Sequence, residues 1–417
     1  ILSRIAALIL LAFLLFLPES LAAQPLSGCS KTDRRVLWVE AEGSIRPFGG
    51  QENFELIKTL VNDWGVTDIY AQVYRAGRSW FPSVQADDTP YFEAMSAGIN
   101  PLHDLIQFAH AHGVRVHAWM NVFSLAQNDR APVLETIGED GILRDEFGVS
   151  LRSYDSDGRA PREPEDRLDT PAIWIDPGST RYRLYFAELI KELTHLYPAL
   201  DGVHLDMIRY PYMMLRPDFS GRRAQLGFSE EAMRRYFGNS QSPAECVASI
   251  GPEAGPLSWG VLTRGLPRGA GWDSWRREQV TDLVRHVRAE LLDRPMELSA
   301  AVLAPYDRAY VYAQQPWKEW LAEGLIDFAV AMAYQRGGER YRSVTADVLH
   351  DTDGKRVIMG VGAWLSLHDP QVLAEQIRIA CDRASGGVSL FSFSHLASRQ
   401  GMRVVKEIQQ PRRESQS

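Results

Sequence analysis

The sequence predicts an α/β fold, a single (β/α)8 TIM barrel with long strand-to-helix loops, and three observations carry that expectation. Eight short β-branched or aromatic runs alternate with eight helical stretches. Strict alternation gives a parallel sheet, and eight strands close one into a barrel. No Ser/Gly-rich linker or shift of composition divides residues 30–410. Helix-to-strand connections such as 112–113 and 197–201 are short, whereas the strand-to-helix connections 122–178 and 208–272 are long. In such barrels the strand-to-helix loops crown the C-terminal face, where active sites sit.

The elements follow from local pattern. Strands are expected at 36–40, 68–74, 114–120, 203–207, 297–302, 327–332, 356–361 and 387–391, each rich in β-branched or aromatic residues. Helices are expected near 53–63, 101–112, 180–196, 273–292, 316–323, 343–350, 369–383 and 400–409. The second opens behind Asn100 with Pro101 at its first position and closes at His112-Gly113, a complete pair of start and stop signals. The span from Glu139 to Arg167 is dense in Asp, Glu, Arg and Gly and reads as a flap within the first long loop.

Residues 1–29 read as an export signal and residues 30–417 as the barrel domain. Positions 5–17 are uninterrupted apolar between Arg4 and Pro18, too short to span a bilayer and followed by small residues. Two processing routes fit. Leu26-Ser27-Gly28-Cys29 is lipobox-like, which would acylate Cys29 and anchor the chain to a membrane; simple cleavage near Ala22 or Ala23 would release it. Either route places the protein in the periplasm or on the membrane of a bacterial envelope. On the first route Cys246 and Cys381 are left to pair, although two cysteines predict no bridge geometry.

Composition excludes several classes. The 417 residues are 45% hydrophobic and 24% charged, which is ordinary globular usage. A net charge of −8 argues against a nucleic-acid partner, which would call for a basic excess. Three cysteines are too few for a disulfide scaffold. The unusual share is aromatic, with 11 Trp, 15 Tyr and 16 Phe.

Strand parity shows what points inward. Ile69, Ala71 and Val73 form an apolar outer set on the second strand, leaving Tyr70, Gln72 and Tyr74 inside. On the third, His117, Trp119 and Asn121 point in; on the fourth, His204 and Asp206 do. Trp38 and Glu40 share one parity on the first. An inert barrel interior would be mostly Val, Ile and Leu, so buried polar groups here need a function. Asp206 is the leading candidate for a catalytic carboxylate, with Arg209 near enough to hold it ionised. The alternative is a structural Asp–Arg pair at the barrel rim. His204, one layer below, reads more readily as a hydrogen-bonded core histidine than as a chemical group.

Glycoside hydrolysis places two carboxyl groups across the scissile bond. Glu40, Asp307 and Glu339 are the candidates for the second, Glu40 first among them. Asp176 before the 180–196 helix reads as structural, and Arg277 as either cleft-facing or superficial. Trp80, Trp119, Trp174, Trp317, Tyr334 and Trp364 lie near strand ends, where aromatic faces stack on sugar rings, although core packing accounts for at least half of such positions. No metal is expected: His110 and His112 end a helix at the barrel bottom and do not converge, and the first strand lacks a His-x-His. No nucleotide motif follows any strand, so no cofactor is expected.

These residues resemble the glycosyl-hydrolase-like family distantly related to glycosidase family 10, barrels of bacterial envelopes. The resemblance spans about 36–395 and rests on ordered pieces. They are Arg35 to Trp38, Gln72-Val73, Trp80 to Ser83, the run from Pro101 through Ala109-His110 to His117, Trp119 and Asn121, Asp176 to Gly178, Asp201 to Asp206, Trp275 to Arg277, and Trp320 to Asp327 leading to Tyr334. It implies a glycosidase acting on a bacterial glycan, peptidoglycan glycan strands foremost, with Gln72, His117, Asn121, Asp206 and Tyr334 around the cleft. Two departures stand out. Gln335 follows Tyr334 where an aromatic is expected, and Met207 and Ile208 replace the tryptophan and acid of the chitinase signature.

The sequence therefore points to an exported glycoside hydrolase. Asp206 and Glu40 are its expected catalytic pair. Gln72, Tyr74, His117, Trp119 and Asn121 are expected to bind substrate, together with His204, Arg209, Tyr334 and Trp364. The partner is a polysaccharide or peptidoglycan-type glycan. The alternative is a non-catalytic glycan-binding envelope protein on the same barrel, and a weaker one is a polysaccharide deacetylase or lyase.

Overall fold

A computed structural model describes residues 29–30, 32–161, 165–214, 224–237, 270–382 and 385–409. Its strands are β1 (Arg34–Val39), β2 (Asp68–Arg75), β3 (Arg78–Ser79), β4 (Arg115–Asn121), β5 (Gly202–Asp206), β6 (Glu297–Leu303), β7 (Phe328–Met332), β8 (Val357–Gly362) and β9 (Gly387–Phe391). All but β3 are parallel, and β1 pairs with both β9 and β2, closing the eight expected strands into a (β/α)8 barrel. β3 is a two-residue antiparallel return onto β2.

The helices are α1 (Gln51–Trp64), α2 (Thr89–Ser96), α3 (Pro101–Ala111), α4 (Val133–Ile137), α5 (Thr180–Leu196), α6 (Glu230–Phe237), α7 (Ala270–Glu290), α8 (Trp317–Ala322), α9 (Gly338–Leu349), α10 (Pro370–Asp382), α11 (Phe393–Leu396) and α12 (Arg399–Gln409). α1 ends on Gly65, whose left-handed conformation (φ 59°) lets its N–H return to the Val61 carbonyl. α5 starts at Ser179, whose hydroxyl accepts from the Tyr182 N–H. Among the described residues no helix is long and apolar enough to cross a membrane.

Two cores result. The larger lies between strands and helices, lined by residues such as Ile69, Ala71, Val116, Ala118, Val203 and Leu205, the outward parity set. The smaller fills the barrel with Val36, Trp38, Tyr70, Trp119, Ala301, Val330 and Ile358. Trp38 stands at its centre, with ring centroids 5.5 Å from Tyr70, 4.8 Å from Trp119 and 4.6 Å from His204.

Three expectations are corrected. Tyr74 does not enter the barrel. The β2–β4 register slips between Gln72 and Tyr74, so Tyr74 pairs with outward-facing Met120 and packs 6.1 Å from Phe186 on α5. A bulge inserts one residue and reverses the alternation beyond it. Cys29 is bonded to Cys381, so its sulfur is not available for acylation in this form; Cys246 lies outside the described residues. The described part of the 139–167 span is pinned down where a loose flap is expected. Leu143 and Leu151 are fully buried and joined by a backbone hydrogen bond, and Asp145 accepts from the Phe147 and Val149 N–H groups and from the Tyr154 hydroxyl. Its interspersed apolar residues give that span a core.

The N-terminal mouth of the barrel is closed by charge. Arg34 donates to Asp68 at 3.1 Å and to both oxygens of Glu297 at 2.8 and 2.6 Å, Arg115 reaches Asp68 at 2.8 Å, and His117 Nε2 lies 3.1 Å from Asp68 Oδ1. Burial alone would raise the Asp68 pKa. The bonds and charges of His117, Arg34 and Arg115 outweigh it and hold the carboxyl well below the ordinary carboxylate range.

A carboxyl depressed in the folded state stabilises the fold above its unfolded pKa, and that contribution is lost as pH falls through the folded value. Asp68→Asn is therefore expected to cost about 3–5 kcal/mol near neutral pH, the magnitude for breaking a buried ion pair. Urea denaturation at stepped pH should show the gap between the two proteins narrowing below about pH 4, near the ordinary aspartate value. A gap unchanged down to strongly acidic pH would contradict this.

Candidate active site

The opposite mouth is built differently. Asp206 ends β5 and is 7% exposed. Its Oδ1 accepts from the Met207 N–H at 2.7 Å and its Oδ2 from the Trp119 indole N–H at 3.1 Å. Met207 takes a left-handed conformation (φ 51°), uncommon for a side-chain-bearing residue. Burial raises the Asp206 pKa against the opposing pull of the Met207 N–H, the Arg209 charge and the Trp119 N–H. The Tyr334 hydroxyl is likewise pushed up, first by burial and then by the negative charge of Asp206.

Glu40 lies one residue beyond β1. Its Oε1 accepts from the Ser392 hydroxyl and from the Ser394 N–H at 3.3 Å. β1 and β5 are separated by β2 and β4 around the barrel, so Glu40 and Asp206 rise from different parts of one rim. Trp119 on β4 bridges that interval, bonded to Asp206 and packed on Trp38 beneath Glu40.

Gln72 and Asn121 complete the polar floor. The Gln72 amide accepts from the Ala41 N–H at 3.2 Å and donates to the Asn121 Oδ1 at 3.1 Å. That leaves the Asn121 amide nitrogen without a protein acceptor among the described residues, on the face where a hydroxyl or acetamido group would be read. The far side of the rim is aromatic. Tyr334 and Trp364 lie 4.9 Å apart, and Phe391 is 5.9 Å from the first and 5.6 Å from the second. All three rings are partly exposed, a surface suited to the C–H face of a sugar.

The structure thus brings Asp206, Glu40, Gln72, Trp119, Asn121, Tyr334 and Trp364 to one mouth, and it removes others. His117 sits in the ion network at the other end of the barrel. His204 is buried under Trp38, stacked 4.2 Å from Tyr70, with Nδ1 2.8 Å from the Ser299 hydroxyl. Burial, then His117, lowers its pKa well below the ordinary histidine value, so the ring is neutral core. Arg209 does not pair with Asp206. It binds Asp169 at 2.9 Å, Thr170 at 3.0 Å and the Tyr210 carbonyl at 3.0 Å, clamping one long loop to the other, and reaches Asp206 only through its field.

Of the remaining candidates, Asp307 and Glu339 are exposed, and Arg277 is engaged by Gln314 at 3.2 Å under the Tyr310 ring. Trp80, Trp174 and Trp317 are core. Asp176 is fully buried, accepting from the Gly178 N–H at 2.8 Å and the Tyr210 hydroxyl at 3.2 Å. Among the described residues the His–carboxylate group that could hold a cation is Asp68, His117 and Glu297. Two guanidinium groups already occupy it, and it lies away from the cleft.

Phe391, Ser392 and Ser394 also stand at this mouth, beyond the residues expected from the sequence. Parity would have found Phe391, since Val388 and Leu390 face the outer core. No periodic signal marks the two serines, which follow the strand.

A family model described as "Glycosyl hydrolase-like 10" matches residues 34–361. The chain belongs to that family. Among curated relatives it is 24% identical over 318 residues to the glycosyl hydrolase DigH of Escherichia coli O6:H1, covering 72% of this chain and 63% of that protein. It is 20% identical to the glycosyl hydrolase YngK of Bacillus subtilis, covering 72% of this chain and 52% of that protein. The chain thus spans less than two thirds of the length of either. Among solved structures, the PgaB (BpsB) glycoside hydrolase domain from Bordetella bronchiseptica superposes with a TM-score of 0.55 at 15% identity, over 90% of this chain and 98% of that one. That likeness shows the barrel fold.

Because both Asp206 oxygens accept N–H donors, Trp119→Phe removes a bond that favours the anion. Carboxyl NMR of a selectively labelled protein is expected to place the Asp206 titration above the ordinary aspartate value of about 3.9, and Trp119→Phe should move it higher still. A downward move would show that burial of the indole, and not its N–H, governs the carboxyl.

Proposed function

We propose that this protein is an exported glycoside hydrolase acting on a bacterial cell-envelope glycan, with peptidoglycan glycan strands the favoured substrate class. The observation that supports it most is Asp206: a carboxyl buried at the C-terminal mouth of a barrel, held by two N–H donors, with Glu40 across the rim. Asp206 supplies the carboxylate facing the anomeric carbon, as nucleophile or as the group that orients an N-acetyl arm. Glu40 protonates the leaving oxygen. Gln72 and Asn121 read sugar substituents, while Tyr334, Trp364 and Phe391 form a stacking wall. The substrate class follows from the family resemblance.

Export draws support from the Cys29–Cys381 bond, since disulfides persist in oxidising compartments. Release after signal cleavage is accordingly favoured over lipid anchoring. A non-catalytic glycan-binding role is the second reading, because the aromatic wall would serve it equally.

Digestion of denuded peptidoglycan and a polysaccharide panel distinguishes them. Wild-type protein is expected to release new reducing ends. Asp206→Asn and Glu40→Gln should each lose about 10²–10⁴-fold in rate, the range for a positioned acid or base, while pelleting with the same glycan. Glycan retention by wild-type protein without new reducing ends would favour the binding protein.

A further inference from the structure

We propose that His395, acting through Ser392, is a positioning residue for Glu40: the two hold one oxygen of its carboxyl and leave the other for proton transfer. The inference rests on the glycosidase reading for its kinetic consequence and on geometry alone for the relay itself.

β1 and β9 are parallel neighbours, with Leu37 opposite Leu390, so the residues just beyond the two strands emerge side by side. Glu40 leaves β1 there, and Ser392 leaves β9. The Ser392 hydroxyl touches two groups, the Glu40 Oε1 and, at 3.1 Å, the His395 Nδ1. It carries one proton. The hydroxyl donates it to the Glu40 Oε1, so His395 must donate its Nδ1–H to the serine oxygen. That fixes the neutral ring in its Nδ1–H tautomer, with Nε2 bare.

The carboxyl is fastened from two further directions. Ser394 gives its N–H to the same Oε1, while its hydroxyl donates to the Ile45 carbonyl at 3.1 Å and accepts from the Ile45 N–H at 3.4 Å, drawing the loop after β1 over Glu40. Gly43 in that loop has no room for a side chain. A Cβ there would lie 1.9 Å from the Ser394 hydroxyl and 2.6 Å from the Glu40 Cγ.

The outcome is asymmetric. Oε1 accepts from both Ser392 and Ser394, whereas Oε2 is buried and has no partner among the described residues. When the carboxyl is protonated, the donors facing Oε1 place its proton on Oε2, so the acid proton has one defined site. His395 is partly exposed beside Trp364, with ring centroids 5.9 Å apart. It therefore links the aromatic wall to the acid through a single hydroxyl.

Long-range 1H–15N spectra of histidine-labelled full chain test the relay without any substrate. Wild-type His395 is expected in the Nδ1–H form, and in Ser392→Ala it should pass to Nε2–H. A wild-type Nε2–H tautomer would overturn the proposal. Kinetics on denuded peptidoglycan then test the consequence. His395→Leu and Ser392→Ala are expected to lower kcat about 10- to 100-fold with KM changed less than about twofold, as displacement of a reacting group does. His395→Asn, which retains an N–H near the Nδ1 position, should recover most of that loss. Asparagine no better than leucine would refute positioning by a donor. If wild-type protein cleaves nothing, the hydrolase reading fails and the tautomer alone decides the relay.

Discussion

Closing eight strands into a barrel forces one side-chain set into a cylinder of fixed width, and here a tryptophan fills its middle. Trp38 touches Tyr70, Trp119 and His204, and Phe391 lies 5.8 Å away. Each of those rings belongs to a different strand. Aromatic side chains in edge-to-face contact gain from both burial and quadrupole geometry, and rings this large leave little freedom to shift. The height of Trp119, and with it the indole N–H that meets Asp206, is set by what lies beneath. The same column excludes His204 from the mouth, which is why a residue of the correct parity serves as packing.

The two ends of the column treat the same functional group in opposite ways. Asp68 and Asp206 are both buried aspartates on barrel strands. Asp68 meets two guanidinium groups and a histidine, and its carboxyl is held down; Asp206 meets two uncharged N–H donors, and burial prevails. A carboxylate with cationic partners is a fixed anion that stabilises the fold. One with neutral donors stays close enough to exchange protons to serve chemistry. Partner charge, more than burial, separates the two ends.

Much of this was legible in the sequence because periodicity encodes it. The eight strands, their inward faces and the polar top at Gln72, Asn121 and Asp206 follow from alternation alone. Failures occurred where period two carries no information. Parity gives a residue's face but not its height, so it does not separate Asn121 at the end of β4 from His117, whose ring joins the ion network at the opposite mouth. A bulge of one residue turned Tyr74 outward, and nothing in the run from Asp68 to Arg75 announces it. Proximity along the chain pairs Arg209 with Asp206, but its partner Asp169 lies in the other long loop. Ser392 and His395 lie beyond the last strand and gain meaning only because barrel closure sets β9 against β1.

Each of the four residues that follow Asp206 is fixed. Met207 turns its N–H back to the carboxylate; the buried Ile208 gives its carbonyl to the Gln315 amide at 3.2 Å; Arg209 binds Asp169; Tyr210 binds Asp176. Asp176 also accepts from the Ser229 N–H at 3.3 Å, and Glu231 takes the Ser179 hydroxyl and the Thr180 N–H at 2.8 Å each. The two long connections over the C-terminal face are thereby stitched together by buried or half-buried acids. The stitching ends on the backbone that carries the Asp206 carboxyl. A barrel of this kind is shared by many unrelated activities, so what distinguishes one member from another lies in the side chains and loops at its mouth. In this chain the described parts of the two long loops hold the backbone on which Asp206 sits, so a change in their sequence also acts on the placement of that carboxyl.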